Sequence, residues 1–298
     1  MSAPQILFVP GMKPKPEPAV HRAAILRCLA AALARVDAEV AEALTSDETT
    51  FVRINWTFAF YERFRDFELD RAGIEQLLAE PYPSASDRRE IQSVTAWLTR
   101  LAYRLGDAWP WLSRVAAPAT MQETLAEVQR YQTDTDGIGQ RVRQDLSEQL
   151  RDAQRAGRPI LLIGHSLGSV IAWDTLMTLT LGGTPAPVDL FMTLGSPLGN
   201  RTLRHGLVGW RRHGPKRYPE ALGAWSNFAA ICELVALYPH LAPKFREMQK
   251  LGRVTSIRDH RITTHFREAG ELRVHSEYGY LANDDVARAI AAWFRTVA

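Results

Sequence analysis

Cysteine is scarce in this chain. Of 298 residues only Cys28 and Cys232 carry thiols, and two thiols so far apart do not make a disulfide framework. Both sit in apolar sequence and are expected to be buried. No His-x-x-x-His or Cys-x-x-Cys spacing occurs, so neither a metal site nor a cofactor is expected. A strong charge of one sign is also lacking. The formal net charge is +3 and there is no long basic run, which argues against a nucleic-acid partner. Arg201, Arg204, Arg211, Arg212, Lys216 and Arg217 make one local basic stretch, read as a solvated loop. Long hydrophobic runs are missing too: nothing approaches the ~20 apolar residues that span a bilayer, and no transmembrane segment is expected. No basic segment precedes the short apolar run Ile6-Leu7-Phe8-Val9, which stops at Pro10-Gly11. The expectation is a soluble, cytoplasmic protein. Hydrophobic residues at 46% and charged residues at 23% suit a single large α/β domain over 1–298 with a sizeable core.

The most informative stretch lies past the middle of the chain. Ile160-Leu161-Leu162-Ile163 ends at Gly164-His165-Ser166-Leu167-Gly168, and a second apolar run with helical spacing follows. Strand, turn and helix in that order give a G-x-S-x-G motif its meaning. The turn is so tight that Ser166 must take a positive φ, a strained state for a residue with a Cβ. The positions two before and two after must then be small, as Gly164 and Gly168 are. The serine hydroxyl would stand at the carboxyl edge of a sheet, over a helix N-terminus that favours negative charge.

This segment resembles the nucleophile elbow of serine α/β-hydrolases of the lipase and esterase type. The resemblance touches residues 5–12 and about 125–295. It implies a mostly parallel central sheet flanked by helices (the α/β-hydrolase fold), a Ser–acid–His triad in that chain order, and an oxyanion hole of two backbone amides.

Ahead of the elbow, Gln5 to Val9 reads as a buried strand and Phe51 to Trp56 as another. Between them, Ile25, Leu29, Leu33, Val36, Val40 and Leu44 mark one long amphipathic helix over Val20 to Leu44. Strand, helix, strand suggests a right-handed crossover in a parallel sheet. In the hydrolases the loop after the first of these strands often reads His-Gly and gives one oxyanion amide. Here Pro10 precedes Gly11 and proline has no N–H, so the donors are expected to be the amides of Leu167 and Met12, with Lys13 the second choice for the latter. Residues 57–126 are dense in aromatics, among them Phe58, Phe60, Tyr61, Phe64, Phe67, Tyr82, Trp97, Tyr103, Trp109 and Trp111. They read as an inserted, mainly helical cap. Its aromatics either line an acyl pocket over the site or fill the cap's own small core. Glu127 to Tyr131 and a helix marked by Ile138, Val142, Leu146 and Leu150 then lead into the elbow.

Beyond the elbow, Val188 to Leu194 is a buried strand and Ser196 a turn residue. Trp225 to Val235 reads as a strand ending in an acid. Related hydrolases carry Trp-x-Asn-x-x-x-x-x-Asp-x-Val there, with the Asp as triad acid. This chain has Glu233 at that position, and Asp259 is the competing acid. Val254 to Ile257 and Arg261 to Phe266 read as two short strands. His275 lies just before a last helix, Val286 to Phe294, capped by Asn283-Asp284-Asp285. His275-Ser276-x-Tyr278-Gly279-Tyr280-Leu281 also resembles the family's histidine loop. Of the other histidines, His21 precedes the elbow and His165 points with it; His205, His213, His240, His260 and His265 remain competitors. The expected chemistry is cleavage of a carboxylic ester, small-molecule or lipid-like, by Ser166, His275 and Glu233. An acyltransferase or thioesterase uses the same triad. The Pro10 and Glu233 departures leave a non-catalytic binding protein on a hydrolase fold as a third reading.

Overall fold

The sheet is laid out from β1 (Gln5–Val9), all five residues of which are buried. Its side chains alternate, Leu7 and Val9 entering one core and Ile6 and Phe8 the other. The computed structural model describes residues 2–92, 119–233, 235 and 238–298. After β1 come α1 (Pro18–Val36), α2 (Ala38–Ser46), β2 (Phe51–Arg53), α3 (Trp56–Tyr61), α4 (Glu68–Ala79), α5 (Ala85–Ile91), α6 (Ala119–Thr133), α7 (Ile138–Arg155) and β3 (Ile160–His165). The second half runs α8 (Leu167–Leu181), β4 (Val188–Leu194), α9 (Arg201–His205), β5 (Leu222–Ala230), α10 (Arg246–Lys250), β6 (Ser256–Ile262), the hairpin β7 (Arg267–Glu268) and β8 (Glu271–Leu272), α11 (Glu277–Leu281) and α12 (Asp284–Val297).

The central sheet has the order β2-β1-β3-β4-β5-β6, and every pairing is parallel. β3, buried at all six residues, is a continuous apolar run because helices cover both faces. One core holds α7 and α8, with Val142, Leu146, Val170 and Trp173; the other holds α1 and α12, with Ile25, Leu29, Ile290 and Phe294. This is the parallel, helix-flanked α/β architecture that the sequence leads one to expect. The chain leaves β1 outward to β2 and then returns across it to β3, so the strand order reverses between β1 and β3. In open parallel sheets a crevice opens at such a switch point, outside the carboxyl ends of the strands.

Several local readings change. The strand expected over 51–56 stops at Arg53, with Trp56 opening α3, and the strand expected from Trp225 ends at Ala230, ahead of Glu233. The helix expected over 20–44 is two helices, because Asp37 is extended (φ −158°, ψ 93°) and its carboxylate accepts the Val40 amide at 3.2 Å. That local side-chain bond starts a new helix where the old one would have run on. The two strands expected between 254 and 266 are the single strand β6, which carries Arg258, Asp259, His260 and Arg261 in a row on an edge where polar side chains reach water. Cys28 is buried as expected, but Cys232 is half-buried, since it sits at φ 65° in the sharp turn that ends β5. Within 57–126, Phe60 joins the core beneath α7 and α8, while Ile74 and Leu77 of α4 join the one beneath α1. Residues 93–118, with Trp97, Tyr103, Trp109 and Trp111, lie outside the described residues. Among the described residues no helix is long and apolar enough to cross a membrane.

One buried carboxyl gives the fold a pH signature. Asp174 of α8 accepts the Tyr131 hydroxyl at 3.0 Å and the Val208 amide at 2.8 Å. Burial raises its pKa from 3.8 to about 7. The folded state therefore holds this proton more tightly than the unfolded chain, and stability is lost as pH rises from the ordinary carboxyl range toward 7. In thermal denaturation across that range, Asp174→Asn should abolish this part of the decline, so that its Tm relative to wild type rises with pH. A constant difference between the two curves would contradict the assignment.

Candidate active site

The elbow is built as its residue types demand. Ser166 has φ 52° and ψ −127°, and its amide donates to Leu194 O at 2.9 Å, which fastens the turn to β4. A Cβ at Gly168 would collide with the carbonyl oxygens of Val9 and Pro10, so only glycine lets the elbow lie against the chain leaving β1. Ser169 completes the turn: its hydroxyl donates to Ser166 O at 2.6 Å and lies 2.7 Å from Ser196 Oγ. Ser196 in turn accepts the Leu198 amide at 3.2 Å. Its hydroxyl caps a turn, in keeping with its structural reading.

Ser166 Oγ lies 2.8 Å from His275 Nε2. The other ring nitrogen, Nδ1, is hydrogen-bonded to Glu233 Oε1. A carboxylate only accepts, so Nδ1 carries the proton and Nε2 is left free to accept from the serine hydroxyl. Glu233 is fully buried. The turn at Cys232 folds it back beneath the end of β5, where Oε2 accepts the Ala230 amide at 3.2 Å and the hydroxyl of Tyr280. Burial and the nearby Glu233 charge push the Tyr280 phenol well above its ordinary pKa, so it stays a donor. Tyr280 was not singled out from sequence, although it lies inside the quoted histidine loop.

Asp259 is elsewhere and occupied. It accepts Asn227 Nδ2 at 2.9 Å and the amides of Leu241 and Ala242 at 2.8 and 3.0 Å. Asn227 itself accepts from Thr193, which accepts from the Trp225 indole. The Trp-x-Asn part of the β5 pattern is thus a buried polar ladder that fastens the 238–245 segment to the sheet.

The chain leaving β1 faces the elbow because Val9 pairs with Gly164 in register. Trp56 Nε1 donates to Pro10 O at 2.8 Å. The Lys13 amide donates to the Tyr61 hydroxyl at 2.9 Å, whereas the Met12 amide has no hydrogen bond among the described residues. Leu167 opens α8, and the amide of a first helical residue has no intrahelical acceptor. Among the described residues the Met12 and Leu167 amides are therefore unengaged; Leu167 follows the serine, and Met12 follows Gly11, which approaches it closely. Among the competing histidines, His265 bonds to Glu80 O at 2.8 Å and His260 stacks on Phe228. His165 Nε2 donates to His275 O at 2.8 Å, carrying the backbone of the histidine loop.

No family model matches this chain, and no curated protein does. Among solved structures, an esterase of the bacterial hormone-sensitive lipase family aligns with a TM-score of 0.32 and 12% identity, over 52% of this chain and 60% of that one.

The two acids are separable by experiment. Glu233→Gln should slow reaction at Ser166 by on the order of 10³–10⁴, the cost of losing a triad acid. Asp259→Asn should leave that rate within about threefold and lower unfolding free energy by about 1–3 kcal/mol, because the Ala242 amide loses its acceptor. Rates of serine labelling and thermal melts on both variants decide it; the reverse pattern would move the role to Asp259.

Proposed function

We propose that this chain is a serine hydrolase that cleaves a carboxylic ester through an acyl-enzyme. The observation that carries the reading is the continuous relay from Glu233 through His275 to Ser166, with its 2.8 Å hydrogen bond between His275 Nε2 and Ser166 Oγ.

Ser166 Oγ attacks the ester carbonyl while His275 Nε2 takes its proton. The imidazolium that forms is stabilised by buried Glu233, whose second oxygen is held by Tyr280 and the Ala230 amide. Negative charge develops on the former carbonyl oxygen. The Leu167 and Met12 amides receive it, each worth roughly 3 kcal/mol in comparable sites. His275 then protonates the leaving alkoxide, and the cycle repeats with water on the acyl-enzyme. The chain order Ser166, Glu233, His275 agrees with this scheme and not with the orders of chymotrypsin or subtilisin. The aromatic segment 57–126, taken as a cap, would give the substrate an apolar acyl pocket, so a small-molecule or lipid-like ester is the substrate class proposed.

A fluorophosphonate probe tests the reading without knowledge of the substrate. Rapid formation of one adduct, located at Ser166 by mass spectrometry and lost in Ser166→Ala and His275→Ala, is the expected result. A wild-type protein that does not label would sink the reading and bring a binding role on the same fold to the front.

A further inference from the structure

The segment that presents the Met12 amide is gripped at both ends by one carboxylate. Glu277 follows His275 by two residues, begins α11 and is buried, 3% exposed. Its Oε2 accepts the Gly11 amide at 3.4 Å, and its Oε1 accepts the Lys15 ammonium at 2.8 Å. Gly11 and Lys15 bracket Met12, Lys13 and Pro14. The same residue belongs to the histidine loop, two positions after His275, and its Oε2 stands 3.4 Å from His165 Nδ1, an atom with no hydrogen-bond partner among the described residues. The His165 ring donates from Nε2 to His275 O and lies over the His275 ring with centroids 4.8 Å apart.

The charge on Glu277 is secured from α1 and β2. Arg53 Nε donates to His21 Nδ1 at 2.8 Å, so the His21 proton is on Nε2, which donates to Glu277 Oε1 at 2.8 Å. Burial lowers His21 to about 4 and keeps the ring neutral. Burial alone would raise the Glu277 carboxyl, but the Lys15 ammonium and His21 outweigh it and hold the group well below the usual carboxylate range. A buried carboxylate is costly unless paired. In return it forms an ion pair with the ammonium, which a neutral amide in its place would reduce to a single-charge hydrogen bond.

We infer that Glu277 is a positioning residue that ties the oxyanion segment Gly11–Lys15 to the histidine loop, so that the Met12 amide and His275 are held in one geometry around Ser166. The inference rests on the serine-hydrolase reading and deepens it. Glu277 touches no reacting atom and acts through Gly11 and Lys15. An oxyanion donor counts in the transition state and not in ground-state binding. Loosening the segment should therefore lower the rate of the bond-forming step and leave affinity nearly alone.

The test is the kinetics of Ser166 phosphonylation by a fluorophosphonate in wild type, Glu277→Gln and Lys15→Met, with maximal rate and half-saturating concentration resolved and thermal melts alongside. Both variants should lose about 10- to 100-fold in maximal rate with half-saturation within about threefold. A fall in Tm with wild-type maximal rates would overturn the inference and leave Glu277 a buried structural ion pair. If Glu277→Gln does not fold, Lys15→Met, at the half-buried end of the network, decides by the same criterion. A wild-type protein that never labels defeats the serine-hydrolase reading and this inference with it; a labelled wild type with unaltered variants defeats this inference alone.

Discussion

Backbone contact between two loops at the switch point is the constraint on which the site depends. The elbow after β3 and the chain leaving β1 meet without side chains between them. At Gly168 the obstacle to a Cβ is the carbonyl oxygens of Val9 and Pro10; at Gly11 it is the His165 ring, 2.7 Å away, and Ser166 Cβ, 3.1 Å away. In the proposed mechanism this closeness is what lets an amide from the β1 loop share an oxyanion with the amide after the serine. The sheet order makes the meeting possible. β1 and β3 are neighbours, yet α1, α2, β2 and all of α3 to α7 lie between them in sequence. The strain stored at Ser166 is held by packing on both sides and by the bond from its amide to β4.

The charges around this contact form two systems with different work. Among the described residues Glu233 has the His275 imidazole, the Tyr280 phenol and the Ala230 amide for hydrogen-bond partners. Glu277 has the fixed ammonium of Lys15 and a neutral histidine. In the proposed mechanism Glu233 compensates a transient imidazolium, whereas Glu277, paired with a permanent cation, holds backbone in place. Each buried charge is thus matched to its neighbours, and the two never share a hydrogen-bond partner.

Much of this was legible in the sequence, for identifiable reasons. β3 and the elbow are local: an apolar run, two glycines and a helix start declare themselves within a dozen residues. The strands Gln5–Val9 and Val188–Leu194 are equally plain, as short, mainly apolar runs closed by turn residues. The sequence itself points to Ser166, His275, Glu233, Leu167 and Met12. It assigns no role to Tyr280, Lys15, His21 or Glu277, because their significance is entirely non-local. Glu277 meets His21 across 256 positions of chain, and no spacing rule reaches that far. The break at Asp37 is hidden in the sequence for the opposite reason. Its apolar periodicity continues unbroken into α2, and one side-chain bond to the Val40 amide decides the matter. β6 reads as two strands because Arg258, Asp259 and His260 interrupt its apolar pattern.

The position of β6 explains that interruption and has a consequence for the molecule in crowded solution. The sheet is open, so its two outermost strands each offer a row of backbone groups to any passing extended chain. At one side β2 is only three residues long, too short to template much. At the other, β6 is seven residues long and would be an inviting edge if it were apolar. Arg258, Asp259, His260 and Arg261 put consecutive ionisable groups along it, and a strand adding there would have to desolvate them. The same charges that obscure β6 as a strand in the sequence let the sheet end there without recruiting a second one.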